Sequence, residues 1–298
     1  MITAVTRRVA LLGASSFSIF TSRGSKAIAQ TTRPASRDRL AAIEARHGGR
    51  LGVVIANTAT SEAIEYRADE RFPLTSTFKF LAAAAVLKLI DVGDQKIDTI
   101  VPYTAADVEP GYSPVTRNHV GTGMSIADLC AAAVVLSDNT AGNLLLRLLG
   151  GPDGLTRFCR SLGDQVTRLD RTEPALNSAI PGDERDTTSP KVMVANMRHI
   201  LLGNTLSVAS RRRLQNWLID DKLGGRRLRA GLPANWSIGD KTGSGENGTA
   251  NTIGIVWPAG VAVPILVPVY YTGSTETREQ IDAVHAEIGS MLADAIRS

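Results

Sequence analysis

Strand-like and helix-like hydrophobic patterns occupy different parts of the chain. Apolar residues alternate with a period near two, as in strands, only in five segments close to its two ends. These segments are Gly52–Asn57, Ala63–Tyr66, Trp236–Lys241, Thr252–Trp257 and Val261–Tyr271. Elsewhere apolar residues recur about every 3.6 positions, which predicts helices. The helical segments are residues 38–46, 76–90, 125–136, 140–149, 153–162, 190–202, 207–218 and 276–296.

This arrangement predicts an α+β protein of the α/β sandwich type. The strands from both chain ends form one antiparallel five-stranded sheet flanked by helices, and the helices between them form an inserted all-helical lobe. We expect a single domain over residues 30–298, with an α/β lobe at about 30–67 and 219–298 and a helical lobe at about 68–218. Ligands often bind in a cleft between two lobes, so we expect the site there. Pro264 and Pro268 fit poorly in a central strand, because proline cannot donate a ladder hydrogen bond.

Two long polar stretches, Pro102–Gly123 and Leu169–Ser189, interrupt the hydrophobic pattern. Loops of this length in a compact domain are usually either functional or disordered. Within the second stretch, Arg171 and Asp186 bracket the loop, and a charge-assisted hydrogen bond between them would close it.

The first 29 residues have the layout of an export signal. Arg7 and Arg8 precede a short apolar run, and the sequence AIA stands before Gln30. A basic start, an apolar run of about a dozen residues and small residues at a cleavage site are typical of secretory signal peptides. The paired arginines also resemble a twin-arginine address, so both export routes stay open. Later segments lack the long apolar run of a membrane span, so we expect an exported protein, periplasmic or secreted, without a membrane anchor.

The net positive charge of the chain belongs to this predicted signal. Its 29 residues include four basic residues and no acidic one, which leaves 29 basic and 29 acidic residues in the remainder. A neutral mature chain gives no electrostatic basis for binding nucleic acid or a membrane surface. The four histidines lack metal-ligand spacing, and phosphate-loop and dinucleotide motifs are absent, so we expect no metal and no cofactor. Cys130 and Cys159 lie in apolar helical segments and are interpreted as buried free thiols.

A lysine follows a serine by three positions at the start of a long apolar run. The segment LTSTFKFLAAAAVLKLI contains Ser76 and Lys79. If a helix starts near Ser76, both side chains lie on one face of its first turn. The lysine can then relay the serine proton, and N–H groups at the helix start can stabilise an oxyanion. For this pair alone, a helix cap and a lysine that reaches the surface remain the simpler interpretation.

Two further polar motifs have both ordinary and chemical interpretations. Ser137-Asp138-Asn139 precedes a helical segment, where such residues usually act as caps, but it could also present a hydroxyl and an amide to a cleft. Glu173 and Asn177, in the motif EPALN, are either solvated loop residues or a carboxylate and an amide that hold one water for general-base hydrolysis.

The segment KTGSG, residues 241–245, follows the predicted strand WSIGD. A strand edge with a cation, two hydroxyls and glycines suits the binding of a substrate carboxylate beside the strand. The ordinary alternative is the start of a hairpin. A specified triplet such as KTG occurs by chance much less often than a serine and a lysine at fixed spacing, so it carries more weight. A serine–histidine hydrolase lacks support, because the chain has no G-x-S-x-G elbow.

Taken together and in this order, STFK at 76–79, SDN at 137–139, EPALN at 173–177 and KTG at 241–243 resemble the active-site motifs of class A serine β-lactamases. The resemblance extends over residues 38–295 and includes the segments RFPLTSTFK and GDERDTTSP. It implies a monomeric hydrolase acting on cyclic amides, which opens the β-lactam ring of penicillin- and cephalosporin-type antibiotics and gives antibiotic resistance.

The resemblance also implies a catalytic role for each matching residue. Ser76 would be the nucleophile acylated by the β-lactam carbonyl, and Lys79 would assist proton removal. Ser137 would pass a proton to the departing ring nitrogen. Glu173, with Asn177, would activate the deacylating water, while the acylation base could be either Lys79 or Glu173.

Substrate-binding roles follow in the same way. Asn139 would hold the side-chain amide of the substrate, and Tyr112 would form a wall of the cleft. The backbone N–H groups of Ser76 and Ser244 would form the oxyanion hole. The residues facing the substrate carboxylate would be Lys241, Thr242, Gly243 and Ser244.

The sequence departs from the family pattern at two positions. Many relatives have an arginine on the strand after KTG, but the segment GENGTANTI has none, so we assign carboxylate binding to Arg227 instead. Thr75 stands where the carbapenem-hydrolysing subgroup with a disulfide beside the site has a cysteine, which argues against that subgroup. A D,D-peptidase and a non-catalytic β-lactam sensor remain alternatives, and both would retain the acyl-enzyme that Glu173 is expected to hydrolyse.

Overall fold

The computed structural model describes residues 25–60 and 62–297. Most of the predicted export signal, residues 1–24, lies outside them. In chain order the helices and strands are α1 (Ser25–His47), β1 (Arg50–Asn57), β2 (Ala63–Tyr66), β3 (Phe72–Pro73), α2 (Phe78–Asp91), β4 (Ile100–Val101), β5 (Met124–Ser125), α3 (Ile126–Val135), α4 (Asn139–Leu148), α5 (Pro152–Ser161), β6 (Thr187–Thr188), α6 (Pro190–Leu201), α7 (Val208–Ile219), α8 (Leu228–Gly231), β7 (Ser237–Gly245), β8 (Thr249–Trp257), β9 (Ile265–Thr272) and α9 (Arg278–Arg297).

The five long strands form the predicted antiparallel sheet, in the order β2-β1-β9-β8-β7. Strands from the two ends of the chain meet where β1 pairs with β9, with Arg50 opposite Thr272. The prediction of an α+β protein whose sheet comes from both chain ends is therefore confirmed. The short strands β3 to β6 pair outside this sheet, and the sequence analysis did not predict them.

Pro268 lies in β9, a central strand of the sheet. On one side it stands opposite Ile253 of β8. On the other side the ladder with β1 is interrupted between the pairs Val53–Val269 and Ala56–Leu266. A proline has no N–H to donate to a ladder, so this interruption is where the strand accommodates it. Pro264 stands just before β9.

Each face of the sheet packs against a separate hydrophobic core. Alternate side chains of β1 point to opposite faces, as the strand period requires. Leu51 and Val53 join the core formed with α1 and α9, whereas Val54 joins the core formed with the helices α2 to α6. The sheet is therefore buried on both faces, and its edge strand β7 lies beside the helices.

Helix α2 runs through the centre of the helical core. Its residues from Phe78 to Leu87 are buried, including Lys79. The helix begins at Phe78 and is preceded by a 3-10 turn, Thr75–Thr77. The prediction that the helix starts near Ser76 is thus too early by two residues, because Ser76 and Thr77 belong to the 3-10 turn.

The two long polar stretches are ordered loops with short 3-10 turns at 105–107, 116–118 and 175–177. The predicted pair that closes the second loop is confirmed, since Arg171 Nε lies 2.5 Å from Asp186 Oδ2. The backbone of Asp186 also accepts a bond from the Leu74 N–H at 2.7 Å, which ties the loop to the segment before Ser76. Cys130 and Cys159 are buried free thiols, as predicted.

Candidate active site

A cleft of about 410 Å³ brings together most of the residues that the motifs single out. Its lining comes from the segments around α2, α4, β7 and α9, and among the described residues its charged members are two arginines and one aspartate. The lining residues are Ser76, Tyr112, Ser137, Asn139, Asn177, Leu223, Arg227, Thr242, Gly243, Ser244, Arg278 and Asp282. A second cavity, of about 610 Å³, lies behind the 169–189 loop and contains none of the predicted site residues.

The turn before Ser76 is held by Asn251 of β8. The Asn251 side chain donates to Pro73 O at 2.8 Å and to Thr75 Oγ1 at 2.9 Å. Thr75 has φ of 45°, an unfavourable value for a β-branched residue, so the turn needs such support. A Cβ added at Gly243 would overlap Thr75 Oγ1 and lie 3.2 Å from the Ser76 nitrogen, so glycine lets β7 approach the turn closely.

Lys79 is fully buried and surrounded by oxygen atoms from three segments. Its Nζ lies 3.0 Å from Ser76 Oγ and 2.9 Å from Glu173 Oε1. It also donates to Ser137 O at 2.8 Å and Asn139 Oδ1 at 2.7 Å. Burial lowers the pKa of Lys79, while the charge of Glu173 opposes that shift. The lysine therefore combines a weakened hold on its proton with direct contact to the serine.

The motif Ser137-Asp138-Asn139 performs both of the roles considered for it. Asp138 caps α4 by accepting from the Ala141 N–H at 2.9 Å, as the ordinary interpretation predicts. Ser137 has φ of 57°, and this left-handed conformation turns its carbonyl and hydroxyl toward Lys79. The Asn139 amide donates to Glu109 Oε2 at 3.0 Å, which fixes its oxygen toward Lys79.

Glu173 reaches the cluster from the 169–189 loop. Its Oε1 lies 3.3 Å from Ser76 Oγ, and its Oε2 accepts a hydrogen bond from Asn177 Nδ2. Asn143 of α4 holds the Glu173 backbone at both ends, because it accepts from the N–H at 2.9 Å and donates to the carbonyl at 3.0 Å. Asn177 Oδ1 is buried, and within the described part of the chain it has no hydrogen-bond partner. A free acceptor beside the Glu173 carboxylate suits a bound water.

Strand β7 continues through the KTG motif, which the sequence analysis placed after the strand. Lys241 is fully buried, and its Nζ donates to Thr242 O at 2.8 Å. Burial lowers the pKa of Lys241 to about 7, although Asp221 opposes the shift. Burial and the neighbouring Asp221 raise the pKa of Asp240 to about 7 in turn. A buried lysine with a lowered pKa thus lies next to Thr242, which lines the cleft.

Arg227 is buried beneath the end of β7. Its Nε donates to Asp282 Oδ1 at 2.7 Å and its Nη2 donates to Ser244 Oγ at 3.0 Å. Its Nη1 donates to the carbonyls of Gly243 and Asn251, which joins β7 to β8. Burial and the nearby Arg278 lower the pKa of Arg227, whereas Asp282 raises it. The arginine therefore lies at the end of the cleft where the resemblance predicts the substrate carboxylate to bind. It uses most of its donors for hydrogen bonds inside the protein.

The structure brings all twelve predicted site residues into this cleft or directly behind it. Three supporting residues were missed: Glu109, Asn143 and Asn251. For Asn143 a signal existed, because it follows Asn139 by four positions on one helix and so lies on the same face. The other two act across long separations in sequence, which no local pattern reveals. Among residues 25–60 and 62–297, no group of three or more His, Cys, Asp or Glu has a metal-binding arrangement.

The fold and the cluster of serine, lysine and glutamate define the class of active-site-serine acyl-transfer proteins, and comparisons with known proteins identify the family. A model of the beta-lactamase enzyme family matches residues 35–296. The beta-lactamase AST-1 of Nocardia asteroides is 46% identical over 266 residues, which cover 89% of this chain and 85% of the relative. The beta-lactamase OXY-1 of Klebsiella oxytoca is 43% identical over 285 residues, or 95% of this chain and 96% of the relative.

Solved structures give the same result. An ancestral (GNCA) class A beta-lactamase is 55% identical with a TM-score of 0.86, covering 87% of this chain and 99% of its own. A putative class A beta-lactamase, PenP from Rhodopseudomonas palustris, is 51% identical with a TM-score of 0.86, covering 88% of this chain and 99% of its own. The chain belongs to the beta-lactamase enzyme family, and its fold is that of class A.

Proposed function

We propose that the protein hydrolyses the β-lactam amide bond of penicillin- and cephalosporin-type antibiotics and thereby gives antibiotic resistance. One observation carries this proposal. Lys79 Nζ lies within 3.0 Å of Ser76 Oγ and of Glu173 Oε1, inside a buried site that opens to a cleft. A serine in contact with both a lysine and a carboxylate has the proton acceptors that acylation and deacylation require.

Acylation begins when Ser76 Oγ bonds to the β-lactam carbonyl carbon. The hydroxyl proton passes to the Glu173 carboxylate or to Lys79 in its neutral amine form, since both side chains are in contact with the oxygen. The carbonyl oxygen becomes an oxyanion, which the N–H groups of Ser76 and Ser244 would stabilise. The ring C–N bond then breaks, and Ser137, which contacts Lys79 at 3.4 Å, would deliver a proton to the nitrogen.

In deacylation, the Glu173 carboxylate acts as the base. It takes a proton from a water, whose oxygen bonds to the ester carbon and displaces Ser76, and Ser76 recovers its proton. Asn177 supports this step because its amide donates to Glu173 Oε2, and its own buried oxygen is a free acceptor within the described residues. The clamp from Asn143 keeps the Glu173 backbone in place throughout the cycle.

The substrate carboxylate would bind at the end of β7. Thr242, Gly243 and Ser244 line the cleft there, with Lys241 and Arg227 behind them as sources of positive charge. Asn139 would hold the side-chain amide of the substrate. Tyr112 is 43% exposed and would form one wall of the cleft.

We also propose export to the periplasm or the medium as a monomer, with residues 1–29 as a removable signal and residues 30–298 as the catalytic domain with the lobes defined above. The arginine pair and the AIA segment support this proposal. Among the described residues, no helix has the length and apolar character to cross a membrane.

The nucleophile is tested by Ser76→Ala. We expect kcat/KM for a chromogenic cephalosporin to fall at least about a thousandfold, because no other group can form the ester. Ser161→Ala, an exposed serine at the end of α5, serves as the matched control and should keep the native rate. Native turnover by the Ser76 variant would overturn the assignment.

The role of Glu173 is tested by Glu173→Gln. The variant should still be acylated but hydrolyse the ester slowly, so mass spectrometry after mixing with a penicillin should detect a long-lived covalent adduct. Glu184→Gln, in the exposed part of the same loop, should show no adduct. If the native protein itself accumulates the adduct, a D,D-peptidase or a sensor is the better description.

A further inference from the structure

Arg278, the first residue of α9, lines the active-site cleft although none of the motifs contains it. Its side chain is 52% exposed. Its Nη2 donates a hydrogen bond to Ser244 Oγ, and its Nε lies 3.5 Å from Asp282 Oδ1. The residue therefore adds a second guanidinium to the end of the cleft where the substrate carboxylate is expected.

The two arginines determine whether the Ser244 hydroxyl donates or accepts a hydrogen bond toward the cleft. Ser244 Oγ accepts one bond from Arg227 and one from Arg278. A hydroxyl oxygen has two lone pairs, so both are occupied and its proton remains to be donated. Because Ser244 lines the cleft, this donor is available to an anion bound there.

The two guanidinium groups differ in the donors that they have left. Arg227 is buried, and four of its bonds go to protein oxygens: Asp282 Oδ1, Gly243 O, Asn251 O and Ser244 Oγ. Arg278 makes one hydrogen bond within residues 25–60 and 62–297, to Ser244. A guanidinium has five N–H groups and binds carboxylates best through two parallel bonds. Only Arg278 keeps enough donors for that geometry.

The charges at this end of the cleft favour an anion. Its charged lining residues are Arg227, Arg278 and Asp282, and Asp282 is shared by both arginines. One acid cannot neutralise two permanently charged guanidinium groups, so a net positive charge faces the cleft. The exposed cation, Arg278, is the one that a substrate group can reach.

We propose that Arg278 makes the site selective for substrates with a second anionic group next to the ring carboxylate. The proposal rests on the proposed β-lactam hydrolysis. In a cephalosporin, the ring carbon that carries the variable arm is bonded to the carbon that carries the carboxylate. With the carboxylate at Ser244, an arm on that neighbouring carbon would lie close to Arg278, because Arg278 contacts the Ser244 hydroxyl. Arg278 binds an anionic arm directly and holds the Ser244 hydroxyl as a donor for the ring carboxylate.

The test compares three cephalosporins that differ only in the arm, which is anionic, neutral or cationic. We expect Arg278→Gln to lower the ratio of kcat/KM for the anionic arm to kcat/KM for the cationic arm by about fivefold, the range of a partly exposed ion pair. The loss for the anionic arm should appear mainly in KM, because binding changes and the reacting groups do not. Arg278→Lys should recover part of the ratio, since it keeps the charge without the paired donors.

Arg212→Gln is the matched control, because it removes an exposed arginine from α7 outside the cleft. It should leave the ratio unchanged. Equal loss of kcat/KM for all three arms in Arg278→Gln would overturn the selectivity proposal and leave only a role in positioning Ser244. That outcome is distinct from failure of the proposed function, in which the native protein would open none of the three substrates.

Discussion

Lys79 is a cation without any exposed surface, and acceptors from three separate segments stabilise it. A charge in this position is tolerated only when it is paired and hydrogen-bonded, and removing one partner of a buried pair costs about 3–5 kcal/mol. Replacement of Glu173 by alanine would therefore lower stability as well as deacylation. Glu173→Gln keeps an oxygen that can accept a hydrogen bond from Lys79. This substitution therefore separates the loss of deacylation from the loss of stability better than alanine does.

A second buried group behind the site, Asp240, has a raised pKa. Its Oδ1 accepts from Arg229 Nε at 2.6 Å, whereas its Oδ2 is buried and has no partner among the described residues. Burial and the nearby Asp221 raise its pKa to about 7, well above the ordinary value of about 3.9. Between these two pH values the native state holds a proton that the unfolded chain has released. The contribution of Asp240 to stability is therefore full at low pH and is lost as the pH rises toward 7.

The variant Asp240→Asn should remove this pH dependence, because asparagine has a similar shape and no titratable proton. We expect the free energy of unfolding of the variant minus that of the parent to increase from pH 4 to about pH 7 and to stay level above it. Urea unfolding at four pH values measures the difference. Asp94→Asn, an exposed aspartate, is the control and should give a flat difference, and a flat difference for Asp240→Asn would contradict the prediction.

At the scale of secondary structure, helix α4 holds two parts of the proposed active site in place. Asn139 and Asn143 lie one turn apart on the same face of the helix. Asn139 contacts Lys79, and Asn143 clamps the backbone of Glu173. The helix thus fixes the distance between the serine–lysine pair and the 169–189 loop. A change in α4 at Asn143 should affect Glu173 while leaving the Ser76–Lys79 contact intact.

We therefore expect Asn143→Ala to slow deacylation more than acylation. The substitution removes both partners of the Glu173 backbone, so the carboxylate loses its fixed position. Stopped-flow measurement with a penicillin should show a burst of acylation at close to the native rate, followed by slower turnover. The free energy of unfolding should also fall by about 1–3 kcal/mol.

Leu155→Ala is the control for the possibility that the kinetic change in Asn143→Ala results only from lower stability. It creates a cavity in the helical core at a residue of α5. That variant should be destabilised without a burst. If both variants show the same kinetics, Asn143 has only a structural role.

At the scale of the whole molecule, the α+β fold could be predicted because its strands and helices have different periods and lie in different parts of the chain. The motifs could single out residues that lie together in the cleft because KTG and the serine–lysine pair are local in sequence. Contacts between distant residues could not be predicted in this way. The bond from Asn251 to Thr75 and the bond from Arg278 to Ser244 depend on how β8 and α9 pack, and neither residue belongs to a recognisable pattern.

Boundaries were less predictable than the elements themselves. The sequence analysis ended the first strand of the C-terminal hairpin at Lys241, but β7 extends to Gly245 because its glycines pack against the turn at Thr75. The sequence likewise does not explain the proline in β9, because the interruption of the β1–β9 ladder that accommodates it is a tertiary feature. In each case tertiary contact decided the local conformation.

The pairing of β1 with β9 also sets the order in which the protein can fold. Arg50 pairs with Thr272, so the centre of the sheet forms only after almost the whole chain has been synthesised. Contacts between such distant residues carry a large loop-closure entropy and slow the folding reaction. Until β9 is available, a growing chain keeps β1 unpaired on that side and cannot complete the sheet beside which the catalytic turn lies. A nascent chain that stops before residue 265 therefore lacks a central strand of the sheet, and the open edge of β1 is a site where aggregation can begin.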